Sequence, residues 1–134
     1  MLERLGKITP HTVAEWGKMD AARMVAHVGD WFRMALGELH VPERHLPVRF
    51  FPLKQLLLFV LPFPKNLPTA PELQRATTAL DQELASLQAS VEEFARRDRD
   101  GPWSVHPAFG PLSGATWGAL GYKHTDHHLR QFGL

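Results

Sequence analysis

The sequence predicts an all-α fold of the helix-bundle type, and three observations support this prediction. Apolar residues recur every three or four positions over several segments, as they do on one face of an α-helix. Alternating runs of β-branched residues, which are typical of strands, do not occur. The longest apolar pattern advances in alternating steps of four and three residues, which favours a helix packed on antiparallel neighbours.

Length and composition indicate one globular domain that spans residues 1–134. Hydrophobic residues make up 44% of the chain and charged residues 22%, and the sequence contains no repeat or linker. The net charge is +1 and no basic run exceeds Arg96-Arg97, so nucleic acid is not expected as a partner. Cysteine is absent, which excludes disulfides and thiolate ligands. The N-terminus lacks the apolar core of a signal peptide, so we expect a cytoplasmic protein.

Capping signals in the first third of the chain predict two helices. Thr9 and Pro10 are typical of a cap followed by proline at the first helical position, which predicts a short helix through about residue 16. A second helix is expected to begin near Asp20, which can cap it, and to end at Gly37. Its apolar positions have helical spacing: Met24, Val28, Trp31 and Ala35. A loop with three prolines is expected over 41–51.

The segment 50–64 is the most apolar part of the chain. Prolines bound its run of apolar residues at 56–61, which is far shorter than the ~20 residues of a membrane-spanning helix. A membrane is therefore not expected as a partner. The segment is compatible with a buried helix, a lid over a pocket or a dimer surface. We favour a helix that is covered, either by the core or by a second subunit.

The clearest predicted helix covers 70–97. Thr69 and Glu72 have the spacing of a capping box at its start. Its apolar seam consists of Leu73, Thr77, Leu80, Leu84, Leu87, Val91 and Phe94. A polar turn at 98–101 and an irregular connection at 103–111 follow. Ser113 is expected to cap the last helix.

Three histidines cluster near the end of this last helix. At about 100° per residue, one broad helix face carries the following residues: Trp117, Leu120, His124, His127, His128 and Gln131. His124 can act with either His127 or His128, and the helical angle does not choose between them. Imidazole pairs at this spacing suit zinc or nickel, but a metal site usually needs a third protein ligand.

His27 is the candidate for the third ligand, because it lies on the apolar side of the second helix. The alternative is a core histidine that bonds to a backbone carbonyl or to Asp30. One shared ion satisfies three inward-facing imidazoles at once, so we favour the metal site. Asp30 is expected to be a solvated acid, with a role in orienting or supplying a ligand as the alternative. His127 either lines the pocket or makes a structural hydrogen bond, and Gln131 is expected to bind a nearby water or a helix partner.

The order of these histidines resembles that of the DinB-like superfamily, and four motifs narrow the resemblance to one of its branches of unknown function. The motifs are Trp16-Gly17-Lys18-Met19, Met24-Val25-Ala26-His27, Phe109-Gly110-Pro111-Leu112 and His124-Thr125-Asp126-His127-His128-Leu129-Arg130-Gln131-Phe132-Gly133. The resemblance implies an antiparallel up-down four-helix bundle that binds metal and is commonly dimeric. It implies that His27, His124 and His128 are the ligands, which selects His128 over His127. The first helix of this chain is expected to be short, because few residues precede Thr9.

Three imidazoles leave open positions on a metal, which is the arrangement of catalytic sites. Characterised enzymes of the superfamily that this chain resembles include transferases that use low-molecular-weight thiols. We therefore expect a metal-dependent, thiol-dependent transferase that acts on a small electrophile. The alternatives are a metal-dependent hydrolase and a non-catalytic metal-binding or structural dimer. No catalytic side chain other than the ligands can be assigned from the sequence.

Overall fold

The computed structural model describes residues 1–65 and 69–134, and in these two ranges the chain is helical without a β-strand. The helices are α1 (Leu2–Leu5), α2 (Ala21–Leu36), α3 (Leu53–Gln55), α4 (Leu80–Arg96) and α5 (Gly114–Gln131). A π-helical turn, Leu56–Val60, continues α3, and two 3-10 turns lie at Pro47–Arg49 and Pro71–Leu73. The prediction of an all-α fold is confirmed.

Helix α2 has the bounds that its capping residues predict. The side chain of Asp20 accepts a hydrogen bond from the backbone N–H of Arg23 at 2.8 Å. At the other end Gly37 has a φ of +85°, a left-handed conformation that glycine adopts without strain. Local hydrogen bonds therefore determine both ends of the helix that carries His27.

Helices α2 and α5 pack in opposite directions. The ring of Trp31 in α2 lies 5.2 Å from that of Trp117, near the start of α5. One helical turn before Trp31, the ring of His27 lies 5.0 Å from that of His124, two turns after Trp117. This antiparallel packing brings the histidines of the two helices together.

Helix α4 packs mainly on α2 and runs parallel to it. A Cβ at Gly29 would lie 3.7 Å from Leu87, and one turn later the ring of Phe32 lies 5.2 Å from that of Phe94. The predicted apolar seam of α4 therefore forms a helix contact, but the helix that it mainly contacts, α2, runs parallel to α4. The periodicity of apolar residues does not indicate whether the partner helix is parallel or antiparallel.

The prediction of a helix over 70–97 is wrong at its start, because α4 begins at Leu80. Thr69 and Glu72 form no capping box. Instead the carboxylate of Glu83 accepts hydrogen bonds from the backbone N–H and the hydroxyl of Thr78, at 2.8 and 2.9 Å. The residues just before α4 are not helical, because the side chain of Arg75 binds two buried carboxylates, those of Asp30 and Glu83.

The prediction of a helix over 9–16 is also wrong. Thr9 and Thr12 form a turn, in which the Thr12 hydroxyl accepts the N–H of Thr9 at 2.9 Å and the Thr9 carbonyl accepts the N–H of Thr12 at 3.0 Å. Short hydroxyl side chains compete with helical hydrogen bonds in this way. The only helix before residue 20 in the described chain is α1, with four residues, so the expectation of a short first helix is met.

Most of the segment 50–64 is not covered by the other described residues. Leu58 is buried, whereas Phe51 is 81% exposed and Phe59 60% exposed. The interpretation as a helix buried in the subunit's own core is therefore wrong for most of the segment. Among the described residues, no helix is both long enough and apolar enough to cross a bilayer.

Candidate metal centre

One ring nitrogen from each of His27, His124 and His128 lies within 4.8 Å of the other two. The Nε2 atoms of His27 and His124 are 3.1 Å apart. A tetrahedral zinc ion with bonds of about 2.0–2.1 Å would hold its nitrogen ligands about 3.3–3.4 Å apart. The three side chains therefore could hold one metal ion. His127, on the same helix face, is not a member of this group.

Gln131 determines which nitrogen of His128 is available. The amide nitrogen of Gln131 donates to the carbonyl of Trp16 at 2.7 Å, so its oxygen faces the ring of His128. The distance from that oxygen to Nδ1 of His128 is 2.9 Å. Because an amide oxygen can only accept, Nδ1 of His128 carries the proton and Nε2 presents its lone pair. Gln131, which the sequence predicts to bind a nearby water or a helix partner, thus contacts the ring of His128 and the carbonyl of Trp16.

Burial keeps the three imidazoles neutral. Burial, assisted by the neighbouring His27, lowers the pKa of His128 to about 3, although the hydrogen bond to Gln131 opposes this shift. Burial lowers the pKa of His124 well below its usual value, and His128 and His27 act in the same direction. Burial also lowers the pKa of His27, although the Leu73 carbonyl and Asp30 oppose it. Neutral imidazole is the form that binds metal.

The hydrogen bonding of His27 and His124 fits an ion between their rings. Their Nε2 atoms can form a hydrogen bond to each other only if one of them carries the proton. Within the described residues, Nδ1 of His124 is buried without a hydrogen-bond partner, whereas the Leu73 carbonyl lies close enough to His27 to raise its pKa. Moving both protons to Nδ1 turns the two Nε2 lone pairs towards each other, which is unfavourable without a cation between them.

Asp30 is not the solvated acid that the sequence predicts. It is 1% exposed, and its carboxylate accepts hydrogen bonds from Nε of Arg75 at 3.0 and 3.1 Å and from Arg33 at 3.2 Å. Arg75 also donates to Glu83 at 2.6 and 2.8 Å. The two arginines occupy the carboxylate, so Asp30 supports the helix beside His27 and supplies no oxygen to the histidine group. We call Asp30, Arg75 and Glu83 the Arg75 clamp.

Aromatic side chains surround the exposed side of the histidine group. His127 is half-buried, and its ring centroid lies 6.2 Å from that of Trp16 and 6.0 Å from that of Phe63. Phe63 also contacts His124, with ring centroids 6.2 Å apart. Burial and the charge of Lys65 lower the pKa of His127, although Asp126 opposes them. No local spacing in the sequence connects Trp16 or Phe63 to α5, so the sequence does not predict either residue at the site.

His106 lies outside this group and belongs to its own turn. Its Nδ1 accepts hydrogen bonds from the backbone N–H groups of Ala108 and Phe109, at 3.1 and 3.2 Å. A protonated ring could not accept them. Burial, assisted by the charge of Lys54, lowers the pKa of His106 to about 3.

We predict that His106 makes the metal-free protein less stable in acid. Its pKa is lower in the folded than in the unfolded chain, so its contribution to stability is full above pH 6.5 and is lost as the pH falls towards 3. This amounts to about 2 kcal/mol between pH 6.5 and pH 4.5. In His106→Asn the amide oxygen can accept the same two N–H groups without titrating. Urea unfolding at several pH values should give a flatter profile for the variant; equal slopes would contradict the prediction.

One comparison with known proteins agrees with the all-helical fold. No curated protein and no solved structure matches the chain. The family model described as DinB superfamily matches residues 3–132, which is nearly the whole chain. The all-helical structure, the group of three histidines and this match together show that the chain belongs to the DinB superfamily.

Proposed function

We propose that His27, His124 and His128 bind a divalent transition metal, zinc or nickel, and that the protein is a metal-dependent transferase. It would join a low-molecular-weight thiol to a small electrophile. The observation that supports this most directly is the convergence of three neutral imidazoles without a carboxylate among them. A neutral ligand set leaves the charge of a divalent ion uncompensated and so favours an anionic ligand such as a thiolate. When bound, such an ion supplies Lewis-acid chemistry, lowering the pKa of a thiol or of a water molecule.

The chain's own residues would orient the ligands and exclude water. Gln131, which is anchored on the Trp16 carbonyl, would hold the His128 ring through Nδ1 and leave Nε2 free to bind the ion. Supporting hydrogen bonds of this kind raise metal affinity because they fix the ring and its tautomer. Trp16 and Phe63 form apolar walls beside His127, whose imidazole we propose contacts the substrate.

The state of Asp30 favours a thiol over water as the nucleophile. A hydrolase commonly uses a carboxylate as general base, and the nearby Asp30 carboxylate is held by Arg75 and Arg33. A thiol of lowered pKa needs no general base at neutral pH. The neutral imidazole of His127 is the observation that supports hydrolysis as a second candidate, since it could accept a proton from water. A non-catalytic metal-binding bundle is the third candidate.

Metal analysis followed by an activity assay separates these candidates. Protein purified without a histidine tag is expected to contain about one zinc or nickel ion per chain. The metal-loaded protein is then incubated with a chlorodinitroarene and each of several cellular thiols. In the expected reaction a carbon–sulfur bond forms, chloride leaves with the electron pair of the carbon–chlorine bond, and the thiol proton passes to solvent.

Each result supports one candidate. Thiol-dependent release of chloride that disappears in His124→Ala supports the transferase. Hydrolysis of activated esters without a thiol requirement would instead support the hydrolase. Stoichiometric metal without either activity would favour the non-catalytic protein, and absence of metal even after addition of zinc or nickel would contradict the metal site itself.

A further inference from the structure

The segment around α3 presents an apolar face to solvent. This face, which we call the 50–60 face, consists of Phe50, Phe51, Leu53, Leu56, Phe59 and Val60. Most of these residues follow each other by three or four positions and so point to one side of the helical segment. Leu58, between them, points inward and is buried. The 50–60 face is therefore the outer side of an element whose inner side is already packed.

The 50–60 face has the area that a stable dimer needs. Phe50, Phe51 and Phe59 are 64%, 81% and 60% exposed. At about 200 Å² per phenylalanine side chain they expose roughly 400 Å². A standard interface buries about 800 Å² per partner, of which roughly 450–520 Å² is apolar. Leu53, Leu56 and Val60 supply the remainder, since they are 36%, 39% and 68% exposed.

The charges near this face are turned towards the subunit itself. Lys54 donates from Nζ to the carbonyl of Pro111 at 3.2 Å. Arg49 forms an ion pair with Glu43, and its side chain is only 17% exposed. Lys123 donates to the carbonyls of Leu57 and Leu58 on the inner side. A surface that binds anionic lipid needs cations directed outward, whereas these are used inside the subunit.

We infer that the 50–60 face is the interface of a homodimer. An apolar patch with its cations turned inward is self-complementary, because two copies related by a twofold axis place apolar side chains against apolar side chains. The chain passes from this face to Phe63, which contacts His124 and His127. The dimer would therefore hold in place the segment that forms one wall of the histidine group. This inference goes beyond the proposed activity and does not depend on it.

Sedimentation equilibrium of the full chain tests the interface. The wild type is expected at twice the 15.2 kDa mass of the chain. Phe51→Glu and Phe59→Glu each place a charge in the apolar face, and we expect each to weaken dimerisation about thirtyfold or more. Val13→Glu is the matched control, because Val13 is also 81% exposed but lies outside the face. This control variant is expected to remain dimeric.

Far-UV circular dichroism and thermal unfolding show whether the variants fold, so a monomeric variant with wild-type helicity supports the interface. A wild type that is monomeric at high micromolar concentration would overturn the inference. Persistence of the dimer in both phenylalanine variants would also overturn it, by placing the interface elsewhere. Monomeric wild type that floats with anionic phospholipid vesicles, and loses this binding in Phe51→Glu, would replace it with a membrane-binding surface.

Discussion

Replacing Arg75 by methionine is expected to lower the free energy of unfolding by about 2–3 kcal/mol, less than for a fully buried pair because the Arg75 side chain is 35% exposed. Asp30 is 1% exposed and Glu83 is 3% exposed, and Arg75 forms ion pairs with both. Methionine keeps much of the volume of the side chain but leaves two buried carboxylates without this cation. Removal of one partner from a buried ion pair is costly because the remaining charge stays desolvated. Urea unfolding monitored by circular dichroism measures the change.

Two further variants of the Arg75 clamp isolate this cause. Arg96→Met is the surface control, because Arg96 pairs with Glu93 and its side chain is 66% exposed; we expect a loss below about 1 kcal/mol. Adding Asp30→Asn and Glu83→Gln to Arg75→Met should restore part of the lost stability, since no unpaired charge then remains buried. If Arg75→Met and Arg96→Met had similar stability, the Arg75 clamp would not stabilise the contact between α2 and α4.

The clamp also has a characteristic pH dependence. The hydrogen bond from Arg75, together with those from Thr78, outweighs burial and lowers the pKa of Glu83 to about 2. Because the folded chain has the lower pKa, the stability from this carboxylate is complete above pH 4.5 and is lost as the pH falls towards 2. The Arg75→Met variant should lack most of this acid-dependent loss, which gives a readout that is independent of packing.

The second large effect is expected at the histidine group. We predict that His124→Ala weakens zinc or nickel binding at least 100-fold, because the ring of His124 lies 5.0 and 4.7 Å from those of His27 and His128 and its Nε2 is 3.1 Å from that of His27. At a metal concentration of 100 times the dissociation constant, binding stabilises the wild type by about 2.7 kcal/mol. The metal-dependent rise in Tm should therefore disappear in this variant. Titration against a chromophoric chelator gives the affinity directly.

His127→Ala is the matched control on the same helix face. It is expected to retain the metal affinity of the wild type, whereas His128→Ala should lose it as His124→Ala does. Gln131→Ala should fall between them, with a loss of about 10–100-fold, because the His128 ring remains but its orientation is no longer held. If His127→Ala weakened binding as much as His128→Ala, the proposed ligand set would be wrong.

Local signals predict the parts of this structure that depend on neighbouring residues. Asp20 and Gly37 begin and end α2, and Ser113 caps α5, as expected from the sequence. Each of these bonds joins atoms within a few residues, so residue type and spacing determine them. The same holds for the inward helix face on which His124 and His128 lie.

Long-range contacts account for the errors. The start of α4 and the burial of Asp30 both follow from Arg75, which lies 45 positions from Asp30 in the chain. A capping-box pattern at 69–72 cannot compete with hydrogen bonds to two buried carboxylates, because an unpaired buried carboxylate costs several kcal/mol. The spacing of apolar residues in α2 and α4 gives no indication of this contact.

The sequence by itself determined the all-α class, the bounds of α2, the start of α5 and the set of histidines able to meet, because periodicity and capping are local properties. Only the tertiary structure decided that α4 packs parallel to α2 and that Arg75 joins Asp30 to Glu83. It also grouped a ring nitrogen of His128, and not of His127, with those of His27 and His124, whereas helical angle alone left His127 and His128 equivalent. Such choices depend on side chains that approach each other from distant parts of the chain, and packing between helices determines those approaches.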